Sequence, residues 1–352
     1  MDHKNTLRFD VARGVAAIVV LVGHTAQCFA WRLYGAGSWA EMASGWAARF
    51  AVLAFFLLSG RLITASIASN IRRNGRFDAI DYFLNRIARL YPPLLFAIML
   101  VVAVVVTVHL FGLPGSNGSP LGTLRASGLW FTPGELAQSL LLYNGLTIVD
   151  GPLWTLYIEV KFYIAAGGAA MLAFGRTPIS RAIGGVLVAF AVWTGIDHYR
   201  FWFLAMIWCL GVFTNLPMAR KPGIFLAVST TAIIVCYMSR GFPNYIDDPL
   251  GTLVQSMGCA AIAYALLLRD WAEIDFPAWL VRTGDFSYTL YVIHFPILAF
   301  ALSMSFAISD ASFVVAIVAA LTSSALALLI AIRVAPVLEN TPRFKAIFSR
   351  FV

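Results

Sequence analysis

The chain of 352 residues is 60% hydrophobic and only 12% charged, with a formal net charge of +8, and its mean hydropathy is +0.81. Soluble globular domains carry about 25% charged residues, and disordered chains are rich in charge and poor in aromatics, so both classes are excluded. Continuous apolar stretches such as 96–110 and 313–332 exclude an outer-membrane barrel, whose strands alternate apolar and polar residues. We therefore predict an all-α integral membrane protein.

The apolar runs predict a bundle of about ten transmembrane helices within a single domain that covers residues 1–352. Crossing a bilayer takes about 17–25 mostly apolar residues, and the fifth to seventh runs lie near the lower end of that range. In chain order, the predicted spans lie near 11–33, 45–68, 92–112, 153–174, 180–196, 201–216, 223–239, 251–268, 284–304 and 311–333.

The basic residues indicate how these spans are oriented, because Lys and Arg near span ends favour the cytoplasmic side. If the N-terminus is cytoplasmic, the outer loops hold few of the 25 basic residues, namely Arg32, Arg125, Arg200 and Arg240. We therefore expect both termini in the cytoplasm. Where the basic residues lie matters more than their sum, and the net charge gives no reason to expect a nucleic acid partner.

Several other kinds of segment and site are not expected. No small-residue cleavage site follows the first apolar run, so we expect no removed signal peptide. The cysteines lie singly within apolar runs, with no spacing typical of a disulfide framework or of zinc ligands. We therefore expect no metal site, and Ser59 alone does not predict a serine nucleophile.

The first predicted span carries a polar stripe formed by Asp10, Arg13 and His24. At about 100° per residue, Arg13 and His24 lie within about 20° of one face, separated by roughly 16 Å of helical rise. Ionisable side chains inside a bilayer usually face a cavity or a partner, and imidazole can accept and return a proton near neutral pH. An interhelical hydrogen bond is the alternative interpretation for His24.

The most basic segment lies between the second and third predicted spans, and it contains Arg72, Arg73, Arg76, Arg86 and Arg89. One interpretation is an interfacial helix held on anionic lipid headgroups. The other is a binding surface for a polyanionic ligand, because arginine forks pair well with phosphate groups.

Polar residues in later spans are weaker candidates. Glu159 and Tyr163 are four residues apart and share a helix face. Trp154, at the start of the same span, fits an interfacial anchor. His294 lies just before Pro296, and the simplest interpretation is a packing residue at a helix kink.

Five segments occur together in one order, and as a set they are distinctive. They are LRFDVARG at 7–14 with His24 after it, FFLLSG at 55–60, RIARLYP at 86–92, WTLYIE at 154–159 with Phe162 and Tyr163 after it, and FSYTLYVIHFP at 286–296. This ordered set resembles the membrane-bound acyltransferase type 3 family. The resemblance covers the chain from about residue 7 to residue 333.

The resemblance implies an O-acyltransferase in the bacterial cytoplasmic (inner) membrane. Its donor is a cytoplasmic acyl-CoA, with acetyl-CoA expected, and its acceptor is a hydroxyl of a carbohydrate or another cell-envelope molecule. No permanently bound cofactor is expected, and membrane lipids are the remaining partner. Some relatives carry an extra extracytoplasmic domain, which we do not expect here because the chain ends soon after its last predicted span.

The resemblance and the chemistry together suggest roles for individual residues. A thioester is already activated, so catalysis needs mainly a positioned base and stabilisation of developing negative charge. The expected catalytic residues are His24 as general base, Arg13 as its electrostatic partner and Glu159, which would fix the histidine tautomer or an arginine rotamer. The expected donor-binding residues are Arg86, Arg89, Arg8, Asp10 and Tyr91. The expected substrate-binding residues are Ser59, Arg61, Trp154, Tyr163 and His294.

Three questions stay open at the level of sequence. Arg61 departs from the family pattern, which has an aromatic residue after the Ser-Gly pair, so the local pocket can differ. Direct transfer and a covalent acyl-histidine intermediate are both compatible with the residues. A transporter of a lipid-linked sugar or small anion, or a non-catalytic membrane partner protein, would also place such residues in a helical bundle.

Overall fold

The computed structural model describes residues 3–34, 38–119, 121, 128–195, 199–216, 275–309 and 312–350, with isolated positions between 221 and 267. Within these ranges the chain is helical and contains no extended strand, which confirms the all-α prediction. The predicted spans 223–239 and 251–268 lie almost wholly outside the described residues. The total of about ten spans therefore stays a prediction.

The helices are numbered here in chain order. They are α1 (His3–Thr25), α2 (Trp31–Tyr34), α3 (Trp39–Asn74), α4 (Ala79–Leu110), α5 (Pro133–Leu140), α6 (Leu153–Phe174), α7 (Pro178–Trp193), α8 (Tyr199–Phe213), α9 (Ala278–Val281), α10 (Ser287–Ile308), α11 (Phe313–Leu338) and α12 (Thr341–Phe348). A π-helical segment, Ala26–Ala30, joins α1 to α2, and a 3-10 turn, Arg282–Phe286, joins α9 to α10.

Six helical segments in the described part of the chain are long and apolar enough to cross a membrane. They are Leu7–Ala30, Trp39–Asn74, Ala79–Leu110, Leu153–Phe174, Ala278–Ile308 and Phe313–Leu338. Two shorter apolar helices, Pro178–Trp193 and Phe201–Phe213, coincide with predicted spans of borderline length. The chain is therefore a multi-pass membrane protein.

The junction of the second and third spans is a short turn between two long helices. No separate interfacial helix forms there, because α3 runs to Asn74 and α4 begins at Ala79. The turn is closed by Asn70, whose amide donates to Asp78 O at 3.0 Å and to Asp81 Oδ2 at 2.9 Å. Arg86 and Arg89 consequently lie inside α4 and not in a loop that precedes it.

The chain divides into two compact units. The first unit contains residues 1–13, 52–86 and 158–277, and the second contains 14–51, 87–157 and 278–352.

Aromatic packing and close helix contact hold the first unit together. The Phe162 ring lies 5.8 Å from Phe56, 5.2 Å from Phe201 and 5.7 Å from Trp208, measured between centroids. Helices α3 and α8 approach so closely that a Cβ at Gly60 would collide with the Trp208 carbonyl oxygen. Such close approach of two helix backbones at a glycine is typical of helix packing in membranes, where it maximises dispersion contacts.

The second unit is built around α10, whose residues from Leu290 to Ala299 are nearly all buried. Helix α11 packs on it through a row of small residues, and its other faces are apolar and exposed, as expected for a lipid-facing helix. Glu339, at the end of α11, accepts from Thr289 N at 2.9 Å and from Thr289 Oγ1 at 2.7 Å. These two bonds hold the carboxyl end of α11 against the start of α10.

Candidate functional site

His24 occupies a special position in its helix. It is the penultimate residue of α1, and the π-helical segment Ala26–Ala30 follows directly after Thr25. π-helical turns are rare and occur frequently at functional sites, since the wider turn redirects the neighbouring side chains. His24 is half-buried, so its ring borders accessible space in the described part of the chain.

The hydrogen-bond partner of His24 in the second unit is another histidine. His24 Nδ1 lies 2.8 Å from Nε2 of His294, which is completely buried on α10. The ring centroids are 5.1 Å apart and the ring planes differ by 17°. Rings this far apart, with two nitrogens in hydrogen-bond contact, meet edge to edge in nearly one plane, which is the geometry of a well-aligned hydrogen bond.

The surroundings of the histidine pair are mostly aromatic. Phe295 stands perpendicular to His24 at 5.3 Å between centroids. Tyr291 lies 6.1 Å from His294, and its hydroxyl is 2.5 Å from Thr155 Oγ1. Trp154, which precedes Thr155 in the sequence, is half-buried at the start of α6. The pair therefore lies among rings that limit the movement of both imidazoles.

A second polar contact fixes the end of α1. Thr25 Oγ1 donates to Leu21 O at 2.8 Å, and it lies 2.8 Å from Ser324 Oγ on α11. Because the threonine proton is used within α1, the Ser324 hydroxyl donates to Thr25. His24 is therefore held by contacts to α10 and its neighbour Thr25 by a contact to α11.

Three arginines of the first unit lie against aromatic rings. The guanidinium carbons of Arg8 and Arg61 lie 4.9 Å and 5.4 Å from the centroid of Phe9. Arg61 also donates to Thr214 O at 2.8 Å and to Thr214 Oγ1 at 3.1 Å, just after the carboxyl end of α8. A cation at that end of a helix interacts favourably with the helix dipole. Arg61 therefore has a structural role whatever it binds.

Arg86 is the third of these arginines. Its guanidinium carbon lies 5.6 Å from the ring centroids of both Tyr82 and Tyr163, and its terminal nitrogen donates to Ser66 Oγ at 2.7 Å. The Tyr163 hydroxyl donates to Glu159 Oε1 at 2.5 Å. These contacts hold the guanidinium in a defined orientation.

The other predicted site residues have more ordinary surroundings. Arg13 forms an ion pair with Asp10, three residues earlier on α1. Arg89 is half-buried on α4, and the Tyr91 hydroxyl donates to Leu140 O at 3.1 Å. Ser59 is buried, and its Oγ contacts no hydrogen-bonding group among the described residues. No group of three metal-ligating side chains occurs in the part of the chain that the structure describes.

The structure thus joins some of the predicted residues in each unit. It pairs His24 with His294, brings Arg8 and Arg61 to one ring, and connects Arg86 to Glu159 through Tyr163. Glu159 lies in the first unit beside Tyr163. The imidazole in contact with His24 in the second unit belongs to His294, which the sequence indicated as a packing residue at a kink and the resemblance as a substrate-binding residue. Residues not predicted for the site are Ser66, Tyr82, Thr155, Thr214, Tyr291, Phe295 and Ser324.

One feature of the sequence predicts part of the site that the spacing of polar residues did not predict. The segment 286–296 combines hydroxyl and aromatic side chains with a histidine inside a span. Such a concentration of hydrogen-bonding groups in a membrane helix predicts polar contacts for His294. This signal is stronger than the nearby proline, which predicts only a packing role at a kink.

Comparison with known proteins identifies the family of this chain. The acyltransferase family model described as "Acyltransferase domain" matches residues 6–333. The chain belongs to this family of membrane acyltransferases, the acyltransferase 3 family, as the ordered segments indicated. No solved structure shows significant similarity.

Two kinds of curated relative are informative. O-acetyltransferase OatA of Staphylococcus aureus is 22% identical over an alignment of 286 positions, which covers 70% of this chain and 45% of the relative. The chain therefore spans less than half the length of OatA. Protein 2 in the picA locus of Rhizobium radiobacter is 27% identical over an alignment of 195 positions, which covers 52% of this chain and 92% of that protein.

Proposed function

We propose that this protein is a membrane-embedded O-acyltransferase with His24 as its general base. The proposed donor is acyl-CoA on the cytoplasmic side, acetyl-CoA first among the candidates, and the acceptor is a hydroxyl of a carbohydrate or another cell-envelope molecule. Family membership supports the reaction class, and the name of the relative OatA supports acetyl as the group transferred. The proposed location is the bacterial inner membrane.

The observation that carries the proposal is the hydrogen-bonded pair of His24 and His294 in the second unit. In the proposed reaction, the acceptor hydroxyl gives its proton to His24 as its oxygen attacks the thioester carbon. The carbon–sulfur bond then breaks, and the thiolate leaving group receives that proton from the imidazolium. The half-exposed position of His24 suits a group that must reach a substrate.

The arginines of the first unit are the proposed ligands for the phosphates of the donor. Arg86 is the strongest candidate because its guanidinium is stacked on two tyrosine rings and oriented by Ser66. Arg8 is held against Phe9 in a similar way. Arg89, Asp10 and Tyr91 remain proposed members of the donor site. Ser59, Arg61, Trp154 and Tyr163 remain proposed for the acceptor.

A purified-protein assay tests the proposal directly. The protein in detergent or nanodiscs is incubated with acetyl-CoA and a panel of hydroxyl acceptors, with acetylated products identified by mass spectrometry and release of CoA followed in parallel. We expect acetyl transfer to at least one acceptor, or slow hydrolysis of acetyl-CoA without one, and loss of both in His24→Asn. A transporter or a non-catalytic partner protein would show neither reaction, and that result would overturn the proposal.

A further inference from the structure

The protonation of the histidine pair follows from one intrahelical contact. His294 Nδ1 lies 3.0 Å from the carbonyl oxygen of Leu290, one turn earlier on α10. A carbonyl oxygen only accepts hydrogen bonds, so Nδ1 of His294 carries the proton. In a neutral imidazole the other nitrogen then holds the lone pair, which makes Nε2 of His294 an acceptor. His294 is completely buried, and the neutral form is the one that burial favours.

The same reasoning extends to His24. Its Nδ1 lies 2.8 Å from the acceptor Nε2 of His294, so Nδ1 of His24 is the donor and carries a proton. Neutral His24 therefore has its lone pair on Nε2, on the side of the ring away from His294. His24 donates to His294, and His294 donates to the Leu290 carbonyl. The carbonyl therefore fixes the tautomer of His294, which in turn fixes that of His24.

We infer that His294 is the positioning residue of the proposed reaction: it holds His24 in the tautomer whose Nε2 accepts the proton of the acceptor hydroxyl. The inference rests on the proposed function and changes the expected role of His294 from substrate binding to orientation of the base. His294 does not touch the reacting atoms. It has the role that a carboxylate has in a Ser-His-Asp triad, with a neutral acceptor in place of the charge.

The histidine pair also explains where the transferred proton and the positive charge are held during the reaction. When Nε2 of His24 accepts the hydroxyl proton, the ring becomes an imidazolium that still donates from Nδ1 to His294. The positive charge stays on the half-exposed ring, because transferring it to completely buried His294 would cost more desolvation. The proton is then returned from the same Nε2 to the leaving thiolate, so the pair ends as it began.

The packing makes His294 suitable for orienting another ring. It lies within a run of buried residues on α10, and its side chain is fixed by Leu290 O on one nitrogen and by His24 on the other. Phe295, only 2% exposed, stands perpendicular to His24. A base held in this way needs little reorganisation before it accepts a proton.

Two substitutions separate orientation from simple packing. In His294→Leu, a side chain of similar bulk removes the acceptor, and we expect kcat for acetyl transfer to fall by about 100-fold or more. KM for acetyl-CoA and for the acceptor should change less than about twofold, because only the base is misoriented. In His294→Gln, a carbonyl oxygen can reach the former position of Nε2, and at least about a tenth of wild-type kcat should return.

The matched control is His109→Leu. His109 makes the same kind of intrahelical contact, with Nδ1 2.9 Å from Val105 O, but it lies in the last turn of α4 and has no proposed role. Its kcat should equal that of the wild type. The double variant His24→Asn with His294→Leu should be no slower than His24→Asn alone, because the two residues act as one unit.

A spectroscopic readout tests the tautomer without any activity measurement. ¹⁵N NMR of histidine-labelled wild-type protein should show His24 protonated at Nδ1 and unprotonated at Nε2, assigned by difference against His24→Asn. His294→Leu should give a mixture of tautomers. Protonated Nε2 on neutral His24 in the wild type, or unchanged kcat in a folded His294→Leu protein, would overturn the inference. Failure of all acetyl transfer would instead overturn the proposed function while the tautomer measurement still stands.

Discussion

At the residue scale, substitution of His24 is the clearest test of whether this residue is catalytic or only structural. An asparagine side chain can still hydrogen-bond to a neighbouring helix but cannot accept a proton during turnover. We expect His24→Asn and His24→Ala to bind acetyl-CoA normally and to lower kcat by about two to four orders of magnitude, the usual span of acid–base catalysis. Steady-state kinetics combined with donor-binding measurements check this. Near-normal acetyl transfer by folded His24→Asn protein would contradict the catalytic assignment.

The arginines on α3 and α4 provide a prediction about the donor, with a control in the same region. Arg86→Gln should weaken acetyl-CoA binding by about 1–3 kcal/mol, as expected for hydrogen bonds to charged groups. Arg73→Gln should leave the affinity nearly unchanged, because Arg73 is an exposed residue paired with Asp81 at 2.5 Å. Titration calorimetry with acetyl-CoA distinguishes the two. Equal affinities of wild type and Arg86→Gln would exclude Arg86 from the donor site.

Chemistry at this scale was partly predictable. Spacing and polarity singled out His24, because an ionisable residue in a span demands an explanation. The pairing with His294 was not predictable, since it joins positions 270 residues apart and depends on the packing of α10 in the second unit. Arg61 shows the same limit, because its bond to Thr214 joins positions 153 residues apart and depends on how α3 packs against α8.

At the element scale, two neighbouring glycines on α7 provide a direct test of close helix packing. A Cβ at Gly184 would lie 2.6 Å from Gly168 O and 2.9 Å from Leu172 N, whereas one at Gly185 would meet only the Leu172 side chain at 3.7 Å. Gly184→Ala should therefore destabilise the protein by about 1–3 kcal/mol through overpacking. Gly185→Ala should be neutral or slightly stabilising, because alanine has about 1 kcal/mol better helix propensity.

Thermal or denaturant unfolding of both variants in the same detergent measures this difference. The wild-type protein is the reference, and the neighbouring position controls for the change in composition. Equal stability of the two variants would mean that α6 and α7 do not approach each other at Gly184.

Helix ends were the least predictable feature of the elements. Hydropathy marks only the part of a helix that lies in hydrocarbon, about 30 Å thick. Helix α3 has 36 residues and α4 has 32, so both extend beyond that thickness at 1.5 Å per residue. Their polar extensions meet at Asn70, Asp78 and Asp81, and that network, not hydropathy, sets where α4 begins.

At the scale of the whole molecule, the orientation in the membrane remains a prediction from charge. Reporter fusions at Arg76 and Val352 should report a cytoplasmic location, and fusions at Ser116 and Asp247 an extracytoplasmic one. A paired reporter that is active on only one side of the membrane provides the check. A cytoplasmic Asp247 would contradict the arrangement of ten spans, and an extracytoplasmic Arg76 would reverse the whole topology.

The all-helical membrane architecture and the family were both predictable from the sequence. Composition alone excluded a soluble protein. Five ordered segments indicated the family, and the match to the family model confirmed it. The acceptor was not predictable, because hydroxyl groups on different molecules require the same chemistry from the base.

The π-helical turn after Thr25 also changes how the first span should be compared with its relatives. Such a turn holds one residue more than an α-helical turn, so side chains beyond it are rotated by about 100° from the phase set by Asp10 and His24. An insertion or deletion of one residue within 26–30 can convert one kind of turn into the other without moving His24. A gap in this segment of an alignment therefore indicates that the side chains after it are rotated about the helix axis while His24 keeps its position. It does not indicate that the loop after the first span has changed in length.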